Sequence, residues 1–163
     1  MTFIETNGTK LYTEAHGEGP AIIFVHEFAD NLESWAMQIA ALSRRYKCIT
    51  FNARGYPPSG VPEDPEQYSQ KIAAEDIKAV LDGYSLQSAH IVGCSMGAFA
   101  ALHFAILYPE SALSIALTGP LPVPTVIISI SLTFKCTVAS ASVTKAPLAF
   151  HLLSSVTLNF SNL

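Results

Sequence analysis

Ala89-His90-Ile91-Val92-Gly93-Cys94-Ser95-Met96-Gly97, followed by the Ala-rich run from Ala98 to Tyr108, decides how this chain folds. Ala89 to Val92 is a short apolar run of the kind that forms a buried parallel strand. Ala98 to Tyr108 has the composition of a compact helix, and Pro109 stops it. Between them a serine stands at the centre of a G-x-S-x-G pentapeptide. A serine hydroxyl is a weak nucleophile at neutral pH, so an enzyme that uses one must hold it exposed and stabilise the oxyanion it creates. A tight strand-to-helix turn provides the exposure, and the helix N-terminus favours the negative charge. Gly93 and Gly97 are expected where side chains would collide with neighbouring backbone. Read without that chemistry, the same segment is a glycine-rich turn with Ser95 as the helix N-cap.

Outward from this segment, apolar runs and helical stripes alternate. Thr2 to Thr6 and Lys10 to His16 read as two strands joined at Asn7-Gly8 in a type I′ turn. Ala21 to Val25 reads as a central strand, and Ser34 to Arg45 as a helix with Trp35, Ile39 and Leu42 along its core stripe. Tyr46 to Phe51 resumes as a strand before the Gly- and Pro-rich loop Asn52 to Pro65. Ser69 caps a helix reaching about Tyr84, with Ile72, Ile77, Val80 and Leu81 on one side and Glu75 and Asp76 on the other. Ser111 to Leu117 is one more strand candidate. This order predicts an α/β fold with a doubly wound, mostly parallel sheet that starts with an antiparallel hairpin and is truncated after about six strands.

The composition sets further limits. The 163 residues are 50% hydrophobic and 13% charged, with a net charge of −4, which suits one packed domain. The nine Lys and Arg residues form no patch, so nucleic acid is not an expected partner. Met1 to Glu14 lacks a basic and an apolar signal region, so a cytoplasmic location is expected. Cys48, Cys94 and Cys136 have no metal-site spacing and read as reduced thiols, with Cys94 a small buried packing residue. His26-Glu27-Phe28-Ala29-Asp30 has a trace of a zinc-binding helix motif, but it ends a strand, so no metal is expected. Gly17-Glu18-Gly19 is a turn, not a phosphate loop. Arg54 pairs with a carboxylate, steers an anionic substrate or ties loops together.

All thirteen acidic residues lie at or before Glu110, and only Lys135 and Lys145 are charged beyond it. Residues 1–119 are therefore expected to form the core, and residues 120–163 a divergent apolar tail. Three readings of the tail stay open. It holds buried strands such as Thr125 to Phe134, or it is foreign sequence from a shifted frame, a retained non-coding stretch or a premature end, or it spans a membrane. Gly119, Pro120, Pro122 and Pro124 speak against the span.

Residues 1 to about 119 resemble the amino-terminal part of the α/β-hydrolase fold enzymes of the esterase, lactonase and C-C hydrolase type. Three segments carry the likeness: Ile22 to His26 with Glu27-Phe28-Ala29, Asn52-Ala53-Arg54-Gly55-Tyr56 with Ser59-Gly60, and the elbow Gly93 to Gly97. The resemblance implies that Ser95 is the nucleophile and that the backbone amides of Phe28 and Met96 form the oxyanion hole. It also implies a small-molecule, ester-like substrate, no cofactor, and His26 as a structural loop residue. Glu27 stands where the family has glycine. The family's order of Ser, acid and His finds no acid after Glu110 and only His103 and His151 as late histidines, neither in a fitting context. A hydrolase with weak or absent activity, a non-catalytic ligand-binding or regulatory protein, and a non-functional fragment are all open on sequence.

Overall fold

The computed structural model describes residues 2–119 and 156–159. Seven strands form one sheet: β1 (Thr2–Thr6), β2 (Thr9–His16), β3 (Ala21–Val25), β4 (Lys47–Phe51), β5 (Ala89–Cys94), β6 (Ala112–Thr118) and β7 (Val156–Asn159). Their spatial order is β1-β2-β4-β3-β5-β6-β7. The central pairs β3/β4, β3/β5 and β5/β6 are parallel, while β1/β2, β2/β4 and β6/β7 are antiparallel. The expected α/β architecture with an antiparallel start is what forms. Thr125 to Phe134 and His151 lie outside the described residues.

All five residues of β3 are buried, as the unbroken apolar run Ala21-Ile22-Ile23-Phe24-Val25 requires of a strand covered on both faces. Helices α2 (Gln70–Gly83) and α3 (Met96–Leu107) cover one face. There Ile23, Ile49, Ile77, Val80, Ile91 and Phe104 belong to a single core. On the other face α1 (Ala36–Leu42) and the 3₁₀ turn Leu32–Trp35 cover β3 and β4, with Trp35 packed on Phe24 at a ring separation of 5.1 Å. The alternating burial of β5 leaves His90, Val92 and Cys94 half-buried on that side.

Three local expectations need correction. In the β1/β2 turn only Gly8 takes a positive φ, of 76°, whereas type I′ needs it at Asn7 too; the turn uses glycine only at its second central position. The first helix is shorter than Ser34 to Arg45, because its start tightens into the 3₁₀ turn capped by the Asn31 side chain. Asp76, expected beside Glu75 on the solvent side, is buried with Ala74, Ile77, Val80 and Leu81. Its carboxylate accepts from Nε and Nη2 of Arg54, each at 2.6 Å, and from Thr6 Oγ1 at 3.1 Å. Arg54 also donates to the Gln67 carbonyl at 3.0 Å, so the guanidinium joins the loop after β4 to α2 and does not reach out for an anion.

Candidate active site

Ser95 sits between the end of β5 and the start of α3 with φ 48° and ψ −108°. For a residue with a Cβ this is strained backbone, of order 1–3 kcal/mol. Its neighbours dictate the turn. A Cβ on Gly93 would strike the Gly97 carbonyl, and one on Gly97 would strike the carbonyls of Val25 and His26. Ser95 N–H donates to the Thr118 carbonyl at 2.9 Å, which fixes the elbow to the end of β6. α3 begins at Met96, two residues earlier than the Ala98 expected from sequence. Its first bonds, from Ala98 and Phe99, return to the Ser95 carbonyl. Among the described residues the amides of Met96 and Phe28 have no hydrogen-bond partner, and each is available to a ligand.

His26 determines how Phe28 is presented. Its ring is fully buried, Nδ1 lies 2.8 Å from the Glu27 carbonyl, and Nε2 accepts from Ala53 N–H at 3.0 Å. Because Nε2 is occupied as an acceptor, the proton resides on Nδ1, which donates to Glu27 O. In a trans peptide the carbonyl and the following N–H point opposite ways, so anchoring Glu27 O turns Phe28 N–H away from the histidine. The ring therefore positions a backbone amide and has no nitrogen free for proton transfer. Burial lowers its pKa from 6.5, against smaller opposing effects of the Glu27 carbonyl and the Asp30 and Glu27 charges. The unfolded chain binds a proton near pH 6.5 that the folded chain refuses. Stability from this group is thus complete above that pH and is lost as the pH falls toward the lowered value. Urea unfolding between pH 7.5 and 5 is expected to show this decline, with a smaller slope in His26→Gln; equal slopes would refute it.

The side chain of Glu27 is exposed, and its Oε2 accepts from Cys94 Sγ at 3.8 Å. The carboxylate therefore lies beside the residue that precedes Ser95. Cys94 is half-buried, not buried as expected, and packs at the margin of the cluster formed by Ile22, Phe24, Trp35 and Cys48. Burial, with the Glu27 charge adding to it, pushes its thiol pKa up, which keeps it protonated.

The four described histidines are all engaged away from Ser95 Oγ. Besides His26, His103 is two turns along α3 with Nδ1 2.9 Å from the Phe99 carbonyl, His90 pairs with Ser114 Oγ at 2.8 Å, and His16 faces Glu14. No cluster of three or more metal-ligating side chains occurs among the described residues, and no helix there is long and apolar enough to cross a membrane.

A strained serine between two obligatory glycines, at the C-terminal edge of a parallel strand beside a loop with a free amide, is an α/β-hydrolase arrangement. The family model described as "alpha/beta hydrolase fold" matches residues 20–135. The chain belongs to the α/β-hydrolase fold family. The match runs past Gly119, where the sequence changes character. Among its relatives, an epoxide hydrolase from Caballeronia sordidicola is 35% identical over 108 residues, which is 66% of this chain and 33% of that protein. Epoxide hydrolase 3 of Mus musculus is 29% identical over 109 residues, 66% of this chain and 30% of its own length. The structure of an epoxide hydrolase from Bacillus megaterium superposes with a TM-score of 0.70 at 31% identity, over 73% of this chain and 42% of that one. The chain thus spans about a third of the length of the curated relatives it matches.

Sequence reasoning identified the elbow because its glycines are dictated by local sterics. It allowed Arg54 a carboxylate partner without finding Asp76, and it missed the place of Tyr56, whose hydroxyl accepts from Ala29 N–H at 3.2 Å and lies 3.8 Å from Met96 Sδ. Helical spacing carried a signal for the first, since Asp76 falls four residues after Ile72 and four before Val80.

Proposed function

We propose that this α/β-hydrolase chain carries the nucleophile of a serine hydrolase acting on neutral carbonyl compounds such as esters and lactones. The observation that supports this most is the strained, glycine-flanked Ser95 at the start of α3. In this reading Ser95 Oγ adds to the carbonyl carbon, and the amides of Met96 and Phe28 donate to the oxygen that becomes negative. Collapse of the tetrahedral adduct expels the alcohol, which takes up the proton lost from Ser95, and leaves an acyl-serine. Water then adds to the acyl carbon, releases the carboxylic acid and restores the hydroxyl.

The names of the relatives favour a second reading, in which the substrate is an epoxide. The chemistry of a serine weighs against it. An alkoxide that opens an epoxide forms a carbon–oxygen–carbon ether, and water does not cleave an ether under mild conditions, so Ser95 would turn over once. An acyl-serine, by contrast, is an ester that water hydrolyses.

The test is the reaction of the full chain with p-nitrophenyl acetate. The expected result is a burst of p-nitrophenol and an acetylated peptide carrying Ser95, both absent in Ser95→Ala. Slow turnover after the burst is expected because no described histidine takes up the proton; in serine hydrolases an oxyanion hole and binding alone leave catalysis about 10³-fold above water. Equal p-nitrophenol release by Ser95→Ala would overturn the assignment, and ligand binding without any acylation would favour a binding protein.

A further inference from the structure

Beside the two free amides the structure has a cavity of about 590 Å³, within the range of roughly 300–1,000 Å³ typical of small-molecule sites. Phe28 and Met96, the residues whose amides flank the candidate nucleophile, contribute to its wall, as does Gly97. Its floor is Ala73 of α2 and Ala100 of α3, and its far side is the loop after β4. Small residues on two adjacent helices leave this space open where larger side chains would have closed it.

Apart from the Gln70 amide, the polar side chains around the cavity are already engaged. Arg54 and Asp76 both line it, yet they neutralise each other as a buried pair with relative exposures of 5% and 2%. The Tyr56 hydroxyl is held between Ala29 N and Met96 Sδ, the Tyr68 hydroxyl donates to the Pro62 carbonyl at 2.8 Å, and Ser69 Oγ caps α2. What remains for a ligand is the faces of aromatic rings, aliphatic carbon and the exposed, neutral side chain of Gln70. At the mouth, Phe28, Val61 and Tyr68 are 75%, 56% and 41% exposed, three large apolar groups around one opening. Exposed apolar surface of this kind, at the rim of a concave site, marks a place for an apolar ligand.

We propose that this cavity takes the neutral, apolar arm, aromatic or branched, of the carbonyl compound that Ser95 attacks. The inference rests on the serine-hydrolase reading and adds the substrate class. Continuity decides the occupant: Phe28 and Met96, whose amides are proposed to hold the carbonyl oxygen, also line the cavity. The absence of an uncompensated charge among the lining residues decides its polarity, because a carboxylate or ammonium entering the cavity would lose its hydration without gaining a counter-charge.

The experiment compares kcat/KM of the full chain for p-nitrophenyl 3-phenylpropionate and p-nitrophenyl acetate. The longer, aromatic ester is expected to be favoured about 10- to 100-fold, the scale that hydrophobic pockets achieve. Ala73→Phe fills the floor and is expected to bring the ratio close to one. Val61→Asp, at an exposed position where folding is not at stake, is expected to lower it several-fold by charging the mouth. Met37→Ala, on exposed α1 surface, is the control. A wild-type ratio near one, or a ratio that neither variant changes, would overturn the proposal. Binding of 4-phenyl-2-butanone to Ser95→Ala, followed by ligand-observed NMR with 2-butanone as reference, separates the two ideas. If the aromatic ketone binds and Ala73→Phe abolishes this while no ester acylates Ser95, the cavity assignment holds and the hydrolase reading fails. If Ser95 is acylated but the aromatic ketone binds no better than 2-butanone, the hydrolase reading holds and the cavity assignment fails.

Discussion

Replacing Asp76 with alanine is expected to cost about 3–5 kcal/mol of folding stability, the penalty for leaving a buried charge without its partner. Arg54 would keep the Gln67 carbonyl but lose both bonds to the carboxylate, and its guanidinium is too enclosed for water to replace them. Thr6 of β1 would lose an acceptor as well. With a denaturant dependence of roughly 1–3 kcal/mol per molar urea, the unfolding midpoint should fall by on the order of 2 M. The double variant Arg54→Met, Asp76→Leu is expected to recover most of the loss, since an apolar pair removes the desolvation penalty together with the attraction. A single variant within about 1 kcal/mol of wild type would mean that the loop after β4 opens enough to hydrate Arg54.

Ser95→Gly should stabilise the fold while ending acyl transfer. At φ 48° and ψ −108° the serine pays for its Cβ, and glycine would release of order 1–3 kcal/mol of strain. Glycine's greater freedom in the unfolded chain offsets about 0.5–1 kcal/mol of this, so a net gain of roughly 1–2 kcal/mol is expected. Ser95→Ala keeps the Cβ and the strain, and should lose the same chemistry without the gain. Urea unfolding of the two variants side by side isolates the backbone contribution. If the glycine variant is no more stable than the alanine variant, the turn is not strained and the exposure of the hydroxyl needs another cause.

The extent to which the sequence revealed this molecule depended on how local each determinant is. Strands β3, β4 and β5 were legible because short, mostly apolar runs are bounded by Pro20 and His26, by Asn52, and by Gly93. The elbow was legible because two glycines and a serine at fixed spacing leave the chain few other conformations. Asp76 was misplaced because its residue type outweighed its helical position, and its partner Arg54 is 22 residues away. The β1/β2 turn was assigned from the Asn-Gly pair alone, while a single positive φ at Gly8 closes it. The cavity had no local signature, since β3, both large helices and two loops each supply part of it. The substrate is the least legible. The sequence resemblance pointed to ester and lactone chemistry, the relatives carry the name epoxide hydrolase, and only the reactivity of a serine separates the two.

The pairing of β3 also has a cost in time. Ile22 meets Cys48 of β4 early in synthesis, but its other neighbour, His90 of β5, comes 68 residues after it. At about 5–20 residues per second a ribosome needs roughly 3–14 s to deliver that partner. For this interval the most apolar strand of the nascent chain has one side unpaired, with no local hairpin to shelter it. The parallel centre that brings Ser95 to the edge of the sheet therefore leaves an apolar strand edge open to association with other chains until β5 has been made.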